Sequence, residues 1–390
     1  MGGHHARHAA PDTRRMRRIA LGVIVPIAVV TLAAMVWLWP SEGIEPAKQA
    51  GAAEQVAGRV VAVQQEKCPE ELPDDVNGCG TARVRLTVDG AQDREIEVPL
   101  PNGPGAPEIA EGDDVVLIQT VSPDGKAYAI VDHQRSTGLW VVAAAFALAV
   151  VAFGRWRGVA ALAGLAVTFA LLVFFVVPAI LAGEPPLLVA IVGSSAIMLT
   201  VLYLTHGLAL STTVAVLGTL ASLTLTGLLS LAAVSALHLT GITDDISTSL
   251  GTAHSVNMEG LLLAGIVIGS LGVLDDVTVT QSATVSELAR ANPTYGVRQL
   301  YRAGSRVGRS HIASVINTIV LAYAGSALPL LILIVATNDS LGGVVTDQVI
   351  AQEIVRSAVA TLGLIAAVPL TTALAEYSAR ARVVAVGPSA

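Results

Sequence analysis

Charged and aromatic side chains are scarce in this sequence. Only 14% of the 390 residues are charged and 4% are aromatic, while 53% are hydrophobic. Soluble domains carry roughly 25% charged residues, so the composition indicates a polytopic membrane protein. Gly-rich phosphate loops, nucleotide-binding fingerprints and metal-ligand clusters are also missing from the sequence. We therefore predict no cofactor and no metal site, and we expect the protein not to be an enzyme.

Long apolar runs are the main positive feature. A helix needs roughly 20 apolar residues to cross a hydrocarbon core of about 30 Å, and these runs do not alternate as the strands of a membrane barrel do. We predict a polytopic α-helical membrane protein with about eight transmembrane helices, at residues 19–39, 138–154, 159–181, 187–204, 208–236, 258–280, 311–336 and 350–375. The first run lacks a clear cleavage site before Pro40, so we interpret it as an uncleaved signal anchor, with a removed signal peptide as the alternative.

Basic residues are missing from the short linkers on one side of these spans. Linkers 182–186, 237–257 and 337–349 contain no Lys or Arg, whereas the opposite side is rich in arginine. The positive-inside rule then predicts that both termini are cytoplasmic. We divide the chain into a cytoplasmic basic tail, a signal anchor, an extracytoplasmic β-domain, a seven-helix membrane domain and a second cytoplasmic tail, at residues 1–18, 19–39, 40–136, 137–376 and 377–390.

The segment between the first two spans has a different character. Short β-branched runs are separated by turns rich in Gly, Pro, Asn and Asp, at residues 56–63, 81–88, 94–100, 114–121 and 127–132. Such strands favour a small β-barrel of the OB type, although a β-sandwich fragment gives a similar pattern. The segment has a single aromatic residue, Tyr128, and no basic run, which disfavours nucleic-acid binding. A role toward envelope protein partners, or as a cap on the membrane core, fits it better.

The chain has only two cysteines, Cys68 and Cys79, and both lie in the first long loop of this domain. Outside the cytoplasm such a pair favours a disulfide that closes the loop. The competing interpretation is a metal site, because four acidic residues lie between the cysteines. No histidine nearby completes a zinc spacing. We therefore predict the disulfide.

Two adjacent acidic residues, Asp275 and Asp276, lie in the otherwise apolar sixth span. A carboxylate at mid-membrane costs on the order of 2.5–3.5 kcal/mol on insertion scales, so something must offset that cost. Together with Thr278 and Thr280, the pair forms a polar stripe toward the cytoplasmic end of the span. The stripe predicts an ion, proton or substrate site. The structural alternative is neutralisation of the carboxylates by an arginine from the 298–309 linker.

The seventh span adds two further candidates. His311 lies at its cytoplasmic start, at much the same depth as the aspartates, and Asn317 shares one helix side with Ser314 and Thr318. A lone histidine at a membrane interface is often structural instead. The predicted transport or ion-binding site therefore consists of Asp275, Asp276, Thr278, Thr280, His311 and Asn317.

The acidic pair belongs to a longer motif. Gly269–Thr278 reads GSLGVLDDVT, with Gly-x-x-x-Asp-Val inside it, and Ser282–Leu288 follows with small, hydroxyl and acidic residues. In these residues the chain resembles the YibE/F-like family of bacterial multi-pass membrane proteins. The resemblance implies a membrane core from about residue 138 onward in a bacterial cell membrane, and it makes Asp276 a motif position. A basic residue that the family pattern leads us to expect near Ser211 is absent.

Two classes of function fit these features. A transporter or channel for an ion or small solute would use the acidic site. The alternative is a non-transport envelope assembly or adaptor protein with a structural membrane core. An aspartyl intramembrane protease needs one Asp on each of two helices, and both lie on one span here, which disfavours that enzyme. The expected partners are the lipid bilayer, a small solute or cation, and an envelope protein.

Overall fold

The computed structural model of the chain describes residues 13–40, 54–68, 76–87, 94–122, 125–243, 245–253, 255–336 and 341–385. It divides into two compact units. One contains the first helix and the helices from Trp156 onward, and the other contains the β-strands and the second helix. The predicted tails, 1–18 and 377–390, lie partly outside the described residues, since the first helix begins at Thr13 and the last ends at Ala385.

Helices make up most of the described chain. The α-helices are α1 Thr13–Trp37, α2 Ser136–Gly154, α3 Trp156–Leu171, α4 Val177–Leu181, α5 Pro186–His206, α6 Leu210–Ala236, α7 Asp245–Ala253, α8 Met258–Ala291, α9 Val297–Ser326, α10 Leu328–Ala336, α11 Leu341–Thr346 and α12 Gln348–Ala385. A π-helical turn, Leu172–Val176, joins α3 to α4. Trp156–Leu181 therefore runs as one continuous helix.

Within the described residues, six helices are long and apolar enough to cross a membrane. They are Ser136–Gly154, Trp156–Leu181, Pro186–His206, Leu210–Ala236, Met258–Ala291 and Gln348–Ser378. In α1 the apolar stretch is shorter, at Leu21–Trp37. The helical membrane architecture is thus confirmed at the level of six candidate spans, and the count of eight stays a prediction.

The predicted span 311–336 is divided between two helices in the structure, and the first of them begins earlier than predicted. Ala327 separates α9 from α10 within that range. The interruption precedes Pro329, which has no N–H to continue the backbone hydrogen bonds of α9. At its other end α9 begins at Val297, so the arginines of the predicted linker belong to the helix itself.

The predicted span 258–280 is also longer in the structure, because α8 continues to Ala291. Asn292 follows as its C-terminal cap, and Pro293 comes next, a residue that cannot continue a helix. The last turns are amphipathic, with Gln281 buried. An apolar run therefore ends earlier than the helix that contains it.

Five strands form one antiparallel sheet. They are β1 Glu54–Glu66, β2 Cys79–Leu86, β3 Glu95–Pro99, β4 Asp114–Ser122 and β5 Gly125–His133, in the order β3-β2-β1-β4-β5. All five predicted strands are confirmed, with small differences at their ends. Alternate residues of these strands, among them Val60, Val84, Val98, Val115 and Leu117, form the core of this unit.

The predicted disulfide is confirmed. Cys68 and Cys79 are bonded, with 4.9 Å between their Cα atoms. Cys79 is the first residue of β2 and pairs with Glu66 at the end of β1. The bond therefore holds the chain together where these two neighbouring strands meet. Both sulfurs are used in it, which excludes the competing metal site, and the acidic residues at 69–75 lie outside the described residues.

The helical unit is centred on α8, which packs against α5, α6, α9 and α12. Small residues let neighbouring helix backbones approach closely. Gly218 of α6 lies against Thr371 of α12, and Gly363 of α12 lies against Thr226 of α6. A Cβ at either glycine would overlap the facing threonine hydroxyl, so the contact between α6 and α12 depends on both glycines.

Removal of the disulfide should destabilise the β-sheet. We expect the double variant Cys68→Ser/Cys79→Ser to lose about 2–3 kcal/mol of unfolding free energy, because the unfolded loop regains the freedom that the bond removes. Hydrogen exchange of β1 and β2 amides in the full-length protein measures this change. Wild-type protein treated with reductant is the control and should exchange like the variant. Equal protection in oxidised wild type and variant would contradict the prediction.

Candidate functional site

Thr278 lies at the contact between α8 and α6. Its hydroxyl is fully buried, 2.6 Å from the Thr219 hydroxyl, and donates to the Asp275 carbonyl at 3.0 Å. Nearby, the Ser282 hydroxyl donates to the Ser211 carbonyl of α6 at 2.8 Å. These bonds satisfy polar groups between two helices. The structure therefore places Thr278 inside the bundle, on the α6 side of α8.

A residue outside the predicted site, Gln281, joins three helices. Its amide nitrogen donates to the Gly304 carbonyl of α9 at 3.0 Å and to the Thr372 hydroxyl of α12 at 2.7 Å. A Cβ at Gly308 would lie 2.7 Å from Gln281 Oε1 and 2.5 Å from Val368. Sequence reasoning missed this junction. The signal that could have found it is the spacing Gly304-x-x-x-Gly308, which is typical of close helix contacts.

The acidic pair lies at the middle of α8, a helix of 34 residues. Asp275 is half-buried and Asp276 is exposed. Among the described residues, neither carboxylate has a hydrogen-bond or ion-pair partner. Arg290 pairs with Glu287 at 2.6 Å, and Arg309 donates to a backbone carbonyl of its own helix. The described contacts therefore give no support to neutralisation of the pair by linker arginines.

One exposed stripe runs along α8. Gly265, Gly269, Gly272, Asp276 and Thr280 share one helix face because of their spacing, and all five are exposed. A Cβ placed at Gly265 or Gly272 would have no described atom within 4 Å. Gly265 and Gly272 therefore leave open space along the helix toward Asp276, while Gly269 lies beside the Tyr323 hydroxyl. We call these five residues the α8 groove.

The α8 groove lies between α5 and α9. On one flank, Val279 packs against a cluster that includes Met198 and Leu202 of α5. On the other flank, Val273 packs against a cluster that includes Ile312 of α9. Asp276 lies between these flanks by its position on the helix. Its carboxylate therefore faces the open groove rather than either neighbouring helix.

Helix α9 runs antiparallel to α8 and brings His311 close to the level of the acidic pair. The glutamine junction contacts Gly308, whereas Gly269 of α8 lies beside Tyr323. Between these two contacts, His311 falls within about one helical turn of the level of Asp276. His311 is half-exposed, and its buried Nε2 has no hydrogen-bond partner among the described residues.

The two predicted residues of α9 lie on different faces. His311 and Thr318 are seven residues apart and share a face, and Thr318 lines a cavity beside α8. His311 therefore lies on the same face of α9 as Thr318, a residue of the cavity lining. Asn317 is exposed, but it lies about 120° around α9 from His311. Asn317 is therefore on another face of α9 than His311. Among the described residues, no hydrogen bond or ion pair joins His311 to Asp276 or Thr280.

The cavity beside the groove lies between α8, α9 and α12 and has a volume of about 230 Å³. Ser270, Thr318 and Tyr323 supply its polar groups. Gly269 belongs both to its lining and to the α8 groove. On α8 the lining reaches Leu274, the residue immediately before the acidic pair. Leu274 and Asp276 are about 200° apart around α8, so this lining residue does not bring the cavity to the Asp276 carboxylate.

The α8 groove carries the Asp276 carboxylate and the Thr280 hydroxyl, and the His311 imidazole of α9 lies at about the same level. Among the described residues, no group of three or more His, Cys, Asp and Glu side chains could hold a metal ion. A carboxylate with a nearby hydroxyl can bind a cation through oxygen atoms, and carboxylates inside membranes also take part in proton relays. The chemistry available in the α8 groove is thus cation binding or proton exchange.

A family profile described as YibE/F-like protein matches residues 142–381, more than half of the chain. The chain belongs to this family. The matched range runs from α2 into α12 of this YibE/F-like chain and includes the whole α8 groove, so the resemblance seen in the sequence is confirmed. No curated protein and no solved structure matches the chain.

Two glycines of neighbouring helices should respond differently to the same substitution. We expect Gly308→Ala to lower stability by about 1–3 kcal/mol, because the new methyl group overlaps Gln281 and Val368. The matched control Gly272→Ala adds its methyl to open space and should leave stability unchanged or raise it by up to about 1 kcal/mol. Thermal unfolding of both full-length variants in detergent measures the difference. Equal melting temperatures would refute the packing role of Gly308.

Proposed function

We propose that this YibE/F-like chain is a transporter or channel for a cation or small solute, with its binding site in the α8 groove. One observation carries the proposal. The Asp276 carboxylate lies at the middle of a 34-residue helix, in open space, and without a partner among the described residues. A carboxylate in hydrocarbon is costly, on the order of 2.5–3.5 kcal/mol at mid-membrane and less toward the cytoplasmic end of the span, where the sequence places the pair. Water, a proton or a cation in the groove would remove that cost, whereas lipid would not.

The predicted site residues have separate roles in this proposal. Asp276 supplies the negative charge, and Thr280, one turn further, supplies a neutral oxygen ligand. Asp275, on the neighbouring face of α8, adds negative potential. His311, within about one helical turn of the level of Asp276, offers a ring nitrogen to the cargo. Thr278 holds α6 against α8, and Asn317 has no direct contact with the cargo.

We also propose how the chain is oriented in the membrane and that its β-sheet closes into a barrel. Both termini are cytoplasmic and residues 40–136 are extracytoplasmic, which is supported by the arginine asymmetry of the linkers and by a disulfide that is stable in an oxidising compartment. The sheet order β3-β2-β1-β4-β5, with contacts between the outer strands β3 and β5, supports closure into an OB-like barrel. The barrel lacks the aromatic platform of nucleic-acid binders.

The second candidate function is a non-transport envelope assembly or adaptor protein. It is favoured by the separate compact unit that contains the β-strands, because a distinct domain can recruit an envelope partner without help from the membrane core. In that function the acidic pair has no cargo. Neither candidate function is catalytic.

Cation flux through the purified protein in proteoliposomes tests the transport proposal. Protons, Na⁺, K⁺ and Mg²⁺ are tested one at a time with dyes trapped inside the vesicles. We expect Asp276→Asn to lower the flux by about 100-fold, because it removes the charge that binds the cargo. Asp276→Glu keeps the charge and should retain measurable flux.

Glu287→Gln is the matched control. Glu287 is an exposed carboxylate on the same face of α8, paired with Arg290, and its loss should leave the flux unchanged. All variants are compared at equal folded amounts in size-exclusion chromatography. Wild-type flux no greater than that of empty vesicles for every cation, or full flux in Asp276→Asn, would refute the proposal. Partner capture that persists in Asp276→Asn would then favour the adaptor.

A further inference from the structure

A second pair of charged residues lies within a candidate membrane span, in α12. Arg356 Nη1 and Glu353 Oε1 are 2.8 Å apart, and the two side chains are 30% and 26% exposed. Two buried atoms of the pair, Glu353 Oε2 and Arg356 Nε, have no hydrogen-bond partner among the described residues. Removing such a pair from water is costly, and unused polar atoms add to that cost. Packing alone is a poor explanation for charges at this position.

Tyr323 connects this pair to the α8 groove. Glu353 and Tyr323 line one cleft of about 610 Å³ between α9 and α12. Tyr323 also lines the 230 Å³ cavity on its other side. Its hydroxyl would be 3.3 Å from a Cβ at Gly269 of the α8 groove. The Tyr323 side chain therefore forms the wall between the 610 Å³ cleft, which Glu353 lines, and the 230 Å³ cavity.

The helix register fixes how far the two charged sites are apart. Helices α8 and α12 run parallel, with Gln281 bonded to Thr372. Gln281 and Thr372 are 91 residues apart in sequence, and the same offset between α8 and α12 puts Arg356 at the level of Gly265. Asp276 is 11 residues further along α8, which corresponds to about 16 Å. The 230 Å³ cavity lies between these two levels. The Glu353–Arg356 pair, the cavity and Asp276 therefore follow one another in the direction of the α8 axis.

We propose that Glu353 and Arg356 form a gate at the end of the pathway opposite to Asp276, with Tyr323 as the wall that the cargo must pass. The inference rests on the proposed transport function and assigns a cation as its cargo. In the closed state the Arg356 guanidinium occupies the Glu353 carboxylate and repels an approaching cation. Separation of the pair frees the carboxylate to bind the cation and opens the route between cleft and cavity.

Thiol labelling tests the gate without measuring transport. The two native cysteines are joined in the disulfide and no other cysteine exists, so one introduced cysteine is labelled alone. Ser270→Cys places a thiol of nearly the same size in the cavity lining. A cationic, membrane-impermeant methanethiosulfonate is added to the extracytoplasmic side of the full-length protein in vesicles. We expect Arg356→Gln to speed labelling by about tenfold, because it removes the guanidinium that repels the cationic reagent and frees the Glu353 carboxylate.

Ser222→Cys is the matched control. Ser222 is fully buried in α6, where its hydroxyl donates to the Gly218 carbonyl, and its thiol should stay unlabelled with or without Arg356→Gln. Unchanged labelling of Ser270→Cys would overturn the gate. Faster labelling at both positions would also overturn it, since the pair would then only stabilise the fold. A failed gate with intact wild-type flux overturns this inference alone, whereas missing flux overturns the proposed function.

Discussion

Close backbone contact between α6, α8 and α12 is the constraint on which the helical unit depends. Gly218 and Gly363 let α6 and α12 meet, and Gln281 then reaches both α9 and α12 from α8. Once these contacts are made, the polar side chains on the inner faces of α8 are used in helix packing. The α8 groove remains as the open face, and it is the face that carries Asp276.

Hydroxyl groups are a poor guide to function in these helices. The fifth predicted span is rich in Ser and Thr, yet Thr226 and Ser230 donate to carbonyls four residues earlier in α6. Ser195 and Thr200 do the same in α5. Such bonds satisfy the hydroxyl within its own helix. Buried atoms without a hydrogen-bond partner among the described residues include ionisable ones, in His311 of α9 and in Glu353 and Arg356 of α12, as well as hydroxyls.

Local patterns made most of the secondary structure predictable. Alternation and turn residues found all five strands, and the loop position of Cys68 and Cys79 indicated their bond. The strand order was not predictable, because it depends on pairing between residues far apart in sequence. Hydropathy found the centre of α8 but not its end, since Gln281 is polar and yet buried between helices.

The candidate site was predictable only in part. Asp276 was found because a charge in an apolar run is costly, and His311 because of its depth. Periodicity indicated which residues share a face of α9, but it could not tell which face turns toward α8. Asn317 therefore stays a prediction, since it is exposed and lies on another face of α9 than His311. The three-residue spacing of Glu353 and Arg356 is typical of an ordinary helix pair, and only the neighbouring Tyr323 and the cavity indicate a further role.

The disulfide has a consequence for how the protein is made. It lies in the part of the chain that leaves the ribosome before α2–α12, and in the proposed orientation it forms only after that part has crossed the membrane. At about 5–20 residues per second, synthesis of the remaining helices takes on the order of 13–50 s. Disulfide formation takes seconds to hours, depending on the oxidant. Where the oxidant is weak, the membrane core is complete first, and maturation of the β-sheet becomes the slowest step of biogenesis.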